Sequence, residues 1–182
     1  MENKKTHKKI IRPEFIFLLF ILSCGSESET QLESIPAQMY DNEILNPRIS
    51  IHQEENIVIH STSNKLFKDE GEDAILVGEV VSKFFNDDGV HISTLYSDSA
   101  IVENISNNLR AYGNVRVISD SGYTLISEEI MWDNQYKLIT SQDSVTFTDK
   151  SNTMVKGVGF ESDMDLTNYK IFKFIGSFED SE

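Results

Sequence analysis

Three features of the sequence predict an all-β domain. Apolar and polar residues alternate with period two over most of its length. Turn-forming clusters recur about every 8–12 residues. No capped apolar stripe with helical spacing reaches about ten residues. Many short antiparallel strands with regular turns imply a sandwich, barrel or jelly roll. The length of 182 residues suits one domain of roughly 100–200. At 39% apolar and 25% charged, the chain is globular in composition and long enough to bury a core without disulfides or metal. Its single cysteine excludes an internal disulfide framework. With 30 acidic and 16 basic side chains the net charge is −14, which argues against nucleic acid and against electrostatic docking on anionic membranes.

The charge is uneven. Residues 1–23 hold five basic and two acidic groups, so the remainder carries 11 against 28 and a charge of −17. After Lys4, Lys5, Lys8, Lys9 and Arg12 comes an unbroken apolar run, 15–22, then Ser23, Cys24 and Gly25. That run is far shorter than the ~20 residues a membrane span needs. A basic start and a short apolar run ending in small residues read as a secretory signal peptide over 1–23. Ile21-Leu22-Ser23-Cys24 resembles the bacterial lipobox, whose cysteine is diacylated and becomes the mature N-terminus. Cys24 is therefore the expected lipidation site, anchoring the chain to a membrane, and 24–45 is read as acylated cysteine plus a polar, acidic, flexible tether.

The β domain is placed at 46–180, with alternation beginning near Ile49. Gly113-Asn114-Val115-Arg116-Val117 sets both valines on one face of a strand, and Val145-Thr146-Phe147-Thr148 alternates throughout. Phe172, Phe174, Gly176 and Phe178 fall on one face of a last strand. Between such runs lie Asn86–Gly89, Asn104–Asn108, Ser119–Gly122, Asp133–Gln135 and Asp149–Asn152, rich in residues that tolerate positive φ or cap their own turns. Gly89 and Gly122 are 33 residues apart, as are Tyr136 and Tyr169, a spacing expected of stacked two- to three-strand units.

Candidate chemistry is sparse. His52, His60 and His91 have no cysteine partner beyond Cys24, so they are read as surface or satisfied core groups and no metal site or cofactor is expected. Asn86-Asp87-Asp88-Gly89 and Asp163-Met164-Asp165 lack the Gly and Glu spacing of a calcium loop and are read as turns. No nucleophile elbow or phosphate-cradling glycine loop is present, and no catalytic residue is assigned. Eight Phe lie beyond the signal segment. They form either an ordinary β core or the wall of a groove for acyl chains.

Four segments together resemble the LptC family, the periplasmic bridge proteins of lipopolysaccharide export. They are Val81–Ala100 (VSKFFNDDGVHISTLYSDSA), Leu109–Val117 (LRAYGNVRV), Gly122–Asp133 (GYTLISEEIMWD) and Met154–Ser162 (MVKGVGFES), in order over Ile49–Phe178. LptA, a related bridge, shares the same repeat. The resemblance implies a twisted, open β-jellyroll that is not an enzyme. It carries lipopolysaccharide by its acyl chains, taking it from the inner-membrane export ABC transporter and handing it to an LptA-like bridge by edge-to-edge strand pairing. It also implies a groove lined by Gly113, Val115, Val117, Val145 and Phe147, and a partner edge reached through Phe172 and Phe174. The expected location is the periplasmic face of the inner membrane, held by the lipid anchor. Gly25 stands where aspartate would signal inner-membrane retention in enterobacteria, which leaves outer-membrane sorting open. Well-studied members instead span the membrane with an N-terminal helix. The alternative from a different class is a structural or adhesive β-rich surface lipoprotein.

Overall fold

The computed structural model describes residues 42–179. The signal segment, Cys24 and most of the tether lie outside them. Eleven strands follow in order: β1 (Glu43–Leu45), β2 (Arg48–Gln53), β3 (Asn56–Thr62), β4 (Lys65–Phe67), β5 (Ala74–Phe85), β6 (His91–Val102), β7 (Leu109–Ser119), β8 (Thr124–Asp133), β9 (Leu138–Thr148), β10 (Thr153–Asp163) and β11 (Tyr169–Glu179). There is no helix among the described residues. The short β1 lies at the end of the stretch read as tether.

All strands form one open antiparallel sheet. From β5 to β11 each strand pairs with the next in sequence, and the five turn clusters named above link consecutive strands. At the other side β5 is flanked by two short strands end to end. β4 pairs Ile75–Val77 and β3 pairs Val81–Phe84, with β1 outside β4 and β2 outside β3. Gly89 and Gly122 both sit in turns that follow an odd-numbered strand of this run, consistent with a two-strand repeat.

The sheet is creased. β5 has one residue more than β6 at Gly78–Glu79, and β7 one more than β6 and β8 at Gly113–Asn114. β9 has one more than β10 near Gln142–Asp143, and β11 one more than β10 at Ile175. A bulge bends the strand that carries it, and here the bulges line up across the sheet. Gly78 and Glu79 have φ of 79° and 50°, and Gly113 and Asn114 repeat the device at 75° and 49°. The extra residue at Ile175 also interrupts the run of one-face positions expected through Gly176 and Phe178.

The crease divides the sheet into two leaves. The first contains β2, β3 and the half-strands beside them, and the second contains β1, β4 and theirs. Contacts between residues from opposite strand ends place the leaves face to face. Phe84 of the first lies 6.0 Å from Trp132 of the second, and Phe147 lies 4.1 Å from Tyr169. Ser93 Oγ donates to the Met164 carbonyl at 2.6 Å, and Lys137 pairs with Asp87.

Facing side chains form one buried cluster drawn from both leaves. In the second leaf a single row runs Ile44, Leu66, Leu76, Ala100, Ala111 and Ile130 across six strands. Each fully buried Leu, Ile or Phe contributes about 1.5–3 kcal/mol. Small residues gather at the crease, where Ser127 and Ser141 share a hydrogen bond of 2.9 Å. On the outward side of the first leaf, one row runs Arg48, Thr62, Val81, Tyr96, Arg116, Ile126, Thr146, Lys156. The next runs Ser50, His60, Lys83, Thr94, Ile118, Thr124, Thr148, Met154.

Candidate functional site: the interior and the open edges

Val115, Val117, Val145 and Phe147 all belong to the first leaf and point between the leaves, where alternation places them. They are solvent-inaccessible or nearly so, Phe147 at 0%. Its ring packs against Tyr123 at 5.7 Å, Phe160 at 5.5 Å and Tyr169 at 4.1 Å. Pairs of this kind are worth roughly 0.5–1.5 kcal/mol beyond area burial. In this conformation the interior is packed. Gly113 is set apart from the other four, at the crease. A Cβ there would stand 2.6 Å from Asp98 Oδ2 on the neighbouring β6, and Asn114 Nδ2 donates to that same oxygen at 2.7 Å.

The apolar interior reaches the sheet edge at β11. Directly opposite positions in an antiparallel pair share a face, and Val145, Gly157 and Phe174 stand in one such row. Gly157 has no side chain because its neighbours leave no room: a Cβ would lie 2.2 Å from Ile171 Cγ2 and 2.8 Å from the Lys173 carbonyl oxygen. Beyond it Phe174 is 63% and Ile175 61% exposed. Phe172 is 55% exposed, with Lys170 Nζ 4.7 Å above its ring. β11 pairs only with β10, so one side of its backbone is unpaired within the sheet. β1 and β2 leave a second open edge, where Ile44 and Leu45 are exposed.

Sequence reasoning named Phe172 and Phe174 but not Ile175, Tyr169, Ile44 or Leu45. Ile175 is exposed because of a bulge that alternation does not announce. Ile44 and Leu45 follow an acidic stretch that reads as tether. The structure brings Val115, Val117, Val145 and Phe147 into one cluster and leaves Phe172 and Phe174 outside it.

Two carboxylates with shifted titration organise turns. Asp163 organises the β10–β11 turn, accepting from the Thr167 and Asn168 backbone N–H groups at 2.9 and 3.2 Å and from both their side chains. Burial pushes this carboxyl up, yet the hydrogen bonds together hold it below its ordinary range. Glu103 is held low by Ser106 and then by Arg110, whose Nε donates at 3.0 Å. A general acid needs the opposite shift. No group of three or more potential metal ligands occurs among the described residues.

A single antiparallel sheet, creased on itself and open at both edges, with an apolar interior that emerges along an edge strand, defines a β-jellyroll-like scaffold. The family model of OstA-like proteins matches residues 49–177, from β2 into β11. The chain belongs to the OstA-like family. No curated protein matches it.

Proposed function

We propose that this chain is an LptC-type lipopolysaccharide carrier, a non-enzymatic module that shields acyl chains between its two leaves. It receives lipid from the inner-membrane export ABC transporter and passes it to an LptA-like bridge docked on β11. The observation that carries this is the row Val145–Gly157–Phe174, which continues the buried interior onto an open, apolar strand edge. Membership of the OstA-like family supports it. Strand addition supplies the partner with backbone hydrogen bonds, while Phe172 and Phe174 offer side-chain selectivity. Cys24, once acylated, keeps the module at the membrane face. Because the interior is packed, acyl chains enter by parting the leaves and replacing contacts such as Phe147 on Tyr169.

The test uses the full chain with a photo-crosslinking residue at Phe174, incubated with lipopolysaccharide. A saturable adduct that free lipid A competes away is expected, with none from a crosslinker at Thr140 on the outward side of the second leaf. A folded protein giving no adduct at Phe174 overturns the proposal. One observation favours the other class: Phe84, Phe147 and Phe160 are all at 0% exposure, as the plain core of a structural or adhesive lipoprotein would have them. That reading predicts no adduct at any position.

A further inference from the structure

Charge is segregated in this molecule. Beyond residue 23 acids outnumber bases 28 to 11. Yet the two outward rows of the first leaf, sixteen positions on eight strands, contain four Lys or Arg and no Asp or Glu. Arg48, Lys83 and Arg116 form no ion pair among the described residues. Between them Tyr96, Ile118 and Ile126 are 37%, 37% and 45% exposed, and the Arg116 guanidinium lies 5.2 Å from the centre of the Tyr96 ring. His60 in the same rows is held below its ordinary 6.5, first by burial and then by the cations of Arg48 and Lys83. Acids frame the face, at Glu79, Asp98, Glu128 and Asp143 near the crease and at Glu54, Glu55, Asp87, Asp88, Asp120 and Asp149 in the turns, and none stands within the two rows.

We propose that this outward face docks on an anionic phospholipid surface. Cations interleaved with aliphatic and aromatic groups match a headgroup layer, where the charges meet phosphates and the apolar side chains reach the acyl boundary. The face is also extended. Eight strands at about 4.8 Å spacing make it roughly 35 Å wide, the dimension of a surface contact and not of a pocket.

The overall negative charge does not prevent this. Screening at physiological salt acts over about 8 Å, and packed sheets stand about 10 Å apart. A bilayer against the first leaf therefore barely senses acids on the outward side of the second. The inference is independent of the lipid-carrier reading, since it concerns the opposite side of the sheet from the interior.

The experiment uses the full chain with Cys24→Ser, so that Ile118→Cys is its only thiol and carries an environment-sensitive fluorophore. Vesicles of phosphatidylcholine with a third phosphatidylglycerol are expected to blue-shift its emission, and phosphatidylcholine alone to leave it unchanged. A label at Thr140→Cys, outward on the second leaf, should not respond. Lys83→Glu with Arg116→Glu should weaken the response more than tenfold, since each basic residue at an anionic surface is worth about fivefold. Near-UV circular dichroism checks that the variant is folded. Equal shifts at 118 and 140 would mean attachment through the N-terminal apolar run, and would overturn the proposal. So would no shift at 118 on anionic vesicles, which would turn the search to an acidic protein partner.

Discussion

Gly113 combines two constraints that are separable by substitution. Its φ of +75° disfavours any side chain, and the space a Cβ would take is filled by Asp98. Gly89, at φ +74° with nothing within 4 Å of a built Cβ, carries only the first. Gly89→Ala is expected to cost about 1 kcal/mol and Gly113→Ala about 2–3 kcal/mol, read as lower urea midpoints with unchanged slopes. Equal costs would mean that Asp98 moves aside freely. At the β10–β11 turn, Asp163 has a folded-state pKa below its ordinary 3.8. Such a group contributes its stability in full above the unfolded value and loses it as pH falls through the folded one. Asp163 is partly exposed, so Asp163→Ala should cost only about 1 kcal/mol at neutral pH. The difference from wild type should narrow below about pH 4. A gap that stays constant into strong acid would mean that the charge contributes nothing.

Among the elements, β9 and β11 separate core from candidate contact surface. Phe147→Ala empties a fully buried site and is expected to destabilise by about 3–5 kcal/mol. Phe174→Ala, on an exposed edge, should change stability by less than about 0.5 kcal/mol while abolishing capture of an edge-pairing partner in a pull-down. Retained capture by Phe174→Ala would remove this residue from the edge. These strands also mark how far the sequence could be read. β5, β7 and β9 keep one phase through the crease, so Val115, Val117, Val145 and Phe147 all face inward as alternation places them. Even-numbered strands do not. β8 buries Leu125 and Ser127 and then Ile130 and Trp132, a change of phase that a single period-two pattern reads as a change of face. Four of the turns were legible because Gly89, Asn107, Gly122 and Asn152 carry positive φ there, whereas in the β8–β9 turn that role falls to Lys137. The opposition of Phe84 to Trp132 was not, because it depends on the angle at which two leaves meet. Nor was the cationic outward face, whose members Arg48, Lys83 and Arg116 are scattered along the chain and adjoin only through register.

At the scale of the whole molecule, a creased sheet with two open edges forms a clamp whose closed state rests on the buried cluster between the leaves, with polar contacts added along one rim. The β5–β6 turn meets the β8–β9 turn through Asp87 and Lys137, and Gln53 Nε2 donates to the Asn134 carbonyl at 3.5 Å. The ion pair is solvent-exposed and the Gln53 contact long and part-buried, so both are cheap to break, whereas the crease opposite is continuous backbone. Opening therefore pivots about the crease and parts the leaves at the rim. An exposed ion pair is worth about 0–1 kcal/mol. Asp87→Ala or Lys137→Ala should thus leave global stability nearly unchanged yet shift a closed–open equilibrium about two- to fivefold. If the interior is the acyl-chain site, the initial rate of lipid adduct formation at Phe174 rises by that factor in each single variant. It rises no further in the double variant, because both remove the same contact. Additive increases would show that Asp87 and Lys137 act separately. An unchanged rate would place lipid entry at the β11 edge alone, with the rim closed throughout.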